Sequence, residues 1–356
     1  MMWQSYQPAA RYSNIIGQQA SRAMFECIHN IQTQVEEAPD IVIFGSSRAG
    51  SYFNDRLLSR WVSEFSGEPK YVKRLNIAGG DISLTYLFLK EYLEKNELEI
   101  AYVEALRIKP QVSLIPYTNR AFSSTADWKL TTELARNYDD NRSGFFRVAD
   151  MFRVMIDKAD KYLSKLLVRE YVINVQNDEA CIRNKNIEDM AFKDTSTAKQ
   201  RFARAYNREL SALMKNAGKA NKLRKETNIR RRERALKRFR DKVGPNWETA
   251  VPENWEFDTD PAKRQLYYYK KIVELSEEKG FKLVYFRPYG LFDAEYVPAQ
   301  VETYQTLLGS DIIYPPYDIS KLAYRYYMDP NHAGSQSKRI LALWLTEDIL
   351  TRSGEF

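Results

Sequence analysis

DIVIFGSS, residues 40 to 47, is an apolar run that stops on a glycine and two hydroxyl residues. Four consecutive apolar residues, Ile41 to Phe44, read as a strand buried on both faces, because a strand with one wet face would alternate. Small residues at its end mark the exit into a turn. A serine placed there, in front of a helix, exposes its hydroxyl beside backbone N–H groups that can stabilise an anion.

Outward from this run, strands alternate with helical stretches. YVKRLNIAGG (71–80) is a second strand with a glycine-rich exit, and LEIAYVEALRI (98–108) is a third. Between them, ISLTYLFLKEYLEKN (82–96) carries Leu84, Leu87, Phe88 and Tyr92 at helical spacing. AKRQLYYYKKIVELSEEKG (262–280) is a helix closed by a glycine, followed by a fourth strand, FKLVYFRPYG (281–290). DIIYPP (311–316) reads as a short fifth strand and SQSKRILALWLTEDIL (335–350) as a final helix. This rhythm predicts an α/β fold: a doubly wound parallel sheet of flavodoxin-like order, helices on both faces.

The rhythm breaks across 111–261, which reads as a mostly helical insertion into an α/β domain formed by 40–110 and 262–356. Residues 1–39 read as an N-terminal helical segment. Within the insertion, 215–242 holds thirteen Lys or Arg against Glu226, Glu233 and Asp241, a larger excess than the +7 of the whole chain. Ile229, Leu236, Phe239 and Val243 lie on one side of that helix. Such a helix is most often a solvated face; its functional readings are contact with an anionic polysaccharide, with an acidic membrane surface or, ranked last because no recognised motif accompanies it, with nucleic acid.

At 356 residues and 44% hydrophobic content the chain can bury a large core. Its 24 Tyr and 17 Phe fill cores more often than they line sugar clefts. Cys27 and Cys181 fit neither a disulfide scaffold nor a metal site. The opening MMWQSYQPAARYSNII lacks the basic-then-apolar layout of a signal peptide, and no run of about 20 apolar residues occurs. As written, the chain is expected in the cytoplasm; a leader or anchor upstream would make it extracytoplasmic.

A serine nucleophile needs a base, and the chain has only two histidines. His29, in FECIHNIQTQ, reads as a packed or solvated side chain of an N-terminal helix. His332, in MDPNHAG, follows Asp329 by three residues in a proline-containing loop. That spacing lets the carboxylate reach the imidazole and fix its tautomer, although the same residues are also good turn formers.

Taken together, GSS after strand one, NIAGG after strand two and Asp-x-x-His before the last helix resemble the SGNH, or GDSL-like, hydrolase superfamily. The resemblance covers roughly 40–110 and 262–350. It implies Ser47 as nucleophile, Asp329 and His332 as its triad partners, and an oxyanion hole of the Ser47 and Gly80 N–H groups, with Gly79 the neighbouring candidate. Two departures stand out. Ser46 replaces the aspartate of Gly-Asp-Ser and Arg48 follows the nucleophile, which looks more like the polysaccharide-modifying branch: alginate O-acetyltransferases and the teichoic-acid D-alanyl transfer protein. The Gly-x-Asn-Asp block is missing after strand three, where Glu104 and Arg107 stand instead; the Asn-Asp of VQND (175–178) lacks the glycine and lies in the insertion. Losing one oxyanion donor typically costs about 10²–10³ in rate; either Arg48 or Arg107 substitutes, or the site is weaker than that of a free esterase.

The implied function is serine-dependent ester chemistry, as an esterase or O-acetyltransferase, on a carbohydrate such as a cell-surface polysaccharide. A membrane-associated acyl-donor partner is implied with it, and no cofactor or metal. Candidate substrate contacts are Arg48, Asn76, Glu104, Arg107 and Arg287. Glu104 could equally pair with Arg48 or Arg107, Asn76 organise its own turn, and Arg287 cap the last helix. The competing reading is a non-catalytic glycan- or partner-binding protein on the same fold.

Overall fold

A computed structural model describes residues 39–77, 82–94, 96–105, 197–215, 222–245, 260–287, 290, 305–329 and 332–356. The elements are β1 (Ile41–Ser46), α1 (Ser47–Tyr52), α2 (Asp55–Ser66), β2 (Val72–Ile77), α3 (Ile82–Tyr92), β3 (Ile100–Glu104), α4 (Ala198–Lys215), α5 (Lys222–Val243), α6 (Asp260–Lys279), β4 (Lys282–Phe286), β5 (Ile312–Ile313), α7 (Tyr317–Tyr324) and α8 (Ser335–Arg352). The expected N-terminal segment, except Pro39, and residues 111–196, 216–221 and 246–259 of the expected insertion lie outside the described residues.

The strands form one five-stranded, all-parallel sheet in the order β2-β1-β3-β4-β5. The α/β class expected from the alternation is therefore present. β3 is central with β1 beside it, and both are buried along their whole length, which is why Ile41–Phe44 and Ile100–Val103 read as unbroken apolar runs. Parallel strands need covered faces, and two helical layers supply the cover. On one side α1, α2, α7 and α8 pack together, with α4 resting on α2 and α8; on the other, α3 packs on α6.

Local chemistry sets these elements. Asn54 caps α2 by accepting the Leu57 N–H at 3.0 Å, and Gly67 ends it in the left-handed region. Between caps, Leu58, Trp61, Val62 and Phe65 recur at helical spacing and are buried. In α3, Phe88 and Tyr92 face the core; the side chains of Leu84 and Leu87 lie outside the described ones. Phe53 joins the layers: its ring centroid lies 5.2 Å from Phe286 of β4 and 6.4 Å from Trp344 of α8.

The insertion helices dock on the sheet domain. Arg201 of α4 donates to the Phe65 carbonyl at the end of α2, and Phe202 meets the Phe65 ring edge-on at 5.4 Å. Asn228 of α5 is buried and donates to the carbonyls of Tyr324 and Tyr327, each at 3.1 Å. No helix among the described residues is long and apolar enough to cross a membrane.

Candidate functional site

In an open parallel sheet the crevice for a ligand lies beyond the carboxyl ends of the strands where the order reverses. Here that point is between β1 and β3, so the exits at Ser46 and Glu104 define it.

The turn from β1 into α1 is tight. A Cβ on Gly45 would fall 2.4 Å from the Ala49 Cβ and 2.7 Å from the Glu104 Oε2, so only glycine lets the helix and the carboxylate approach together. Ser46 is the N-cap: its Oγ accepts the Arg48 N–H at 3.1 Å. The same hydroxyl donates to Glu104 Oε2 at 2.9 Å, and the Ser46 N–H donates to that oxygen at 2.8 Å. Glu104 is 3% exposed, so these charge-assisted bonds form away from water. Ser46 is thereby committed to the turn, and the next hydroxyl along the chain, Ser47, opens α1.

Arg48 leans across this turn. Its Nε donates to the Tyr52 hydroxyl at 2.9 Å and lies 4.0 Å from the other Glu104 oxygen. Of the two partners considered for Glu104, Arg48 is thus in ion-pair range. Arg74 of β2 donates to the Gly50 and Phe53 carbonyls at the end of α1, satisfying acceptors that a helix terminus leaves open. Lys338, in the first turn of α8, is held below its ordinary pKa range by burial and then by the Arg74 charge.

The second component arrives from the far end of the chain. Tyr327 and Ala333 form a bridge, the Met328 N–H donates to the His332 carbonyl at 2.9 Å, and the Gly334 N–H donates to Tyr326 O at 3.1 Å. A Cβ on Gly334 would come within 2.4 Å of that Tyr326 oxygen, so the glycine of DPNHAG is a steric requirement. Inside this loop one Asp329 oxygen accepts the His332 backbone N–H at 2.9 Å, and the carboxylate spans His332 Nδ1 at 3.0 and 2.8 Å. A proton held on Nδ1 leaves Nε2 with its lone pair. The imidazole is 36% exposed, open to a reactant.

These two components meet. The Ala333 N–H donates to Ser51 Oγ at 3.2 Å across 282 positions of sequence, and Ser51 Oγ donates to the Arg48 carbonyl at 2.7 Å. Tyr327 stacks on Tyr52, centroids 6.3 Å apart. The Asp329–His332 loop is therefore seated on α1, the helix that Ser47 begins.

The side chains of Ser47 and Asn76, and all of Gly79, Gly80 and Arg107, lie outside the described residues. Asn76 pairs with Gly45 in the β1–β2 register. Arg287 is 2% exposed and its Nη1 bonds the Ala105 carbonyl at 2.9 Å, tying the exits of β4 and β3. It does not cap α8, whose N-cap is Gly334. Sequence reading missed Ser51, Arg74 and Asn228. Ser51 carried a weak signal, lying one helical turn beyond Ser47; the other two act on backbone carbonyls far away in the chain and left none. Among the described residues, no group of three His, Cys, Asp or Glu side chains is arranged to hold a metal ion. No family model and no curated protein matches the chain.

Proposed function

We propose that the chain is a serine-dependent O-acyl ester enzyme, an esterase or O-acetyltransferase acting on a carbohydrate, on a flavodoxin-like sheet of the SGNH type. One observation carries the reading: the Asp329–His332 pair is anchored to α1 through Ala333 and Ser51, on the helix that Ser47 opens at the strand-order reversal.

In this mechanism His332 Nε2 takes the Ser47 hydroxyl proton as Oγ bonds to the acyl carbonyl carbon. The carbonyl π pair moves to oxygen, and the N–H groups of Ser47 and Gly80, or Gly79, hold the oxyanion. Asp329 keeps the ring oriented and balances the imidazolium. Collapse breaks the bond to the leaving alcohol, which takes the proton from His332. Water or a sugar hydroxyl then gives its proton to Nε2 as it attacks the acyl carbon; collapse breaks the acyl–Oγ bond, and Ser47 takes the proton back from His332. With water the net reaction is hydrolysis; with a sugar it is acyl transfer, the donor being a membrane-associated partner. In this reading Arg48 or Arg107 takes the part of the Asn donor that is missing after β3. Asn76 and Arg107 are substrate contacts in the same reading, and Glu104 braces the β1 turn.

The test is turnover of a small acetyl ester by full-length protein. Ser47→Ala and His332→Ala are each expected to lower it by at least about 10³-fold with unchanged far-UV circular dichroism, and a covalent serine probe is expected to label Ser47. Unaltered turnover in either variant refutes the mechanism. No labelling together with tight glycan binding would instead support a non-catalytic binding protein.

A further inference from the structure

α5 is 22 residues long, roughly 33 Å at 1.5 Å per residue, and its described side chains divide into two faces. Asn228 and Arg232, four residues apart, are buried. Asn228 grips the Tyr324 and Tyr327 carbonyls, and the Arg232 guanidinium lies over the Tyr324 ring at 5.5 Å. Tyr327 is two residues before Asp329, so this clamp fixes the helix beside the histidine loop.

The other face is exposed and cationic, with Arg230, Arg231, Arg234, Lys237, Arg238 and Arg240 against Glu226, Glu233 and Asp241. Arg230–Arg234 and Arg234–Arg238 are like-charged pairs at i,i+4, a spacing at which they weaken a helix. The Glu226–Arg230 contact is long, 3.9 Å, and solvent-exposed, worth little. An open hollow of about 320 Å³ is bordered by Arg230, Glu233, Arg234 and Lys237. A chain of anions laid along this face would relieve the repulsion and find guanidinium forks suited to carboxylate or phosphate.

We infer that this face of α5 is a binding surface for an anionic glycan, which it delivers to the site that Asn228 holds alongside. The inference rests on the ester reading for the identity of the acceptor, a chain with both hydroxyls and repeated negative charges. Burial in a membrane interface would use exposed apolar residues between the cations, and an acidic leaflet held by charge alone offers no hydroxyl acceptor for the ester chemistry. Single-stranded nucleic acid would need aromatic platforms. The described exposed side chains of α5 are all charged.

Full-length protein is titrated against a labelled polyuronate oligosaccharide, a phosphate-bearing glycan, a neutral glucan and single-stranded DNA of matched charge, at about 50 and about 200 mM salt. The polyuronate or the phosphate glycan is expected to bind and to weaken with salt, their ratio identifying the anion, while the neutral glucan does not bind. Arg230→Gln/Arg234→Gln/Lys237→Gln is expected to weaken binding by about tenfold or more and flatten its salt dependence. Lys270→Gln/Lys279→Gln, on α6, is expected to bind as the parent does. Equal binding by the triple variant, no binding of either anionic glycan, or tighter binding of the DNA would overturn the inference. Binding is read without turnover, so an inert Ser47 and an inert α5 give different results.

Discussion

Glu104 shows how much one side chain can organise. It ends β3, yet its Oε2 receives both the N–H and the hydroxyl of Ser46 at the end of β1. Removing it leaves two buried donors without an acceptor, which costs about 2–4 kcal/mol. Glu104→Ala is therefore expected to lower the urea midpoint by that equivalent, and Glu104→Gln, which keeps one acceptor oxygen, by clearly less. Equal midpoints for parent and Glu104→Ala would dismiss this role. Glu104 was legible in sequence only as an acid near an arginine; that it closes the β1 turn follows from strand order, which brings residues 58 positions apart into contact. Asp329 and His332, by contrast, were legible as a pair, because an i,i+3 contact in a turn is local and needs no topology.

Between β2 and α2, Lys73 illustrates a cost carried by two packed elements. Its ammonium is nearly buried and 3.6 Å from Asp55 Oδ2. Burial lowers its pKa below the ordinary 10.5, and the Asp55 charge opposes that only in part. The unfolded chain thus holds this proton to higher pH than the folded one. Stability contributed by this position rises as pH climbs through the folded pKa toward 10.5, and the buried charge weighs most at neutral pH. Lys73→Met is expected to gain about 1 kcal/mol near pH 7, with the gap to the parent closing near pH 10. Denaturant titrations at both pH values check this, and a gap that widens with pH would contradict it. The long elements were readable from period alone. α1, α2 and α7 were not assigned: α1 and α7 have six and eight residues, too few for a 3.6-residue period to register. α2 has twelve residues with Leu58, Trp61, Val62 and Phe65 at helical spacing, so its sequence carries the helix; Ser59 and Ser63 are buried beside that stripe because they bond backbone carbonyls.

Across the molecule, one aromatic contact set joins the sheet to the helical layer that bears the site. Phe53 is fully buried against Phe286 and Trp344 and follows α1 directly. Phe53→Ala is expected to cost about 3–5 kcal/mol, read as a lower urea midpoint together with a weakened near-ultraviolet signal from Trp344; an unchanged midpoint would show the site rests on other contacts. The parallel sheet was legible because strands buried on both faces cannot hide their apolar runs. How the insertion docks was not, since Asn228 and Arg232 are polar residues whose burial depends on carbonyls and a ring they meet only in the folded state. The seam between Ala333 and Ser51 has a temporal consequence as well. A ribosome adding about 5–20 residues per second releases the second half of that seam tens of seconds after the first. Throughout that interval the growing polypeptide holds α1 without the loop that seats on it, so the Ala333–Ser51 contact closes only after every strand of the sheet has been synthesised.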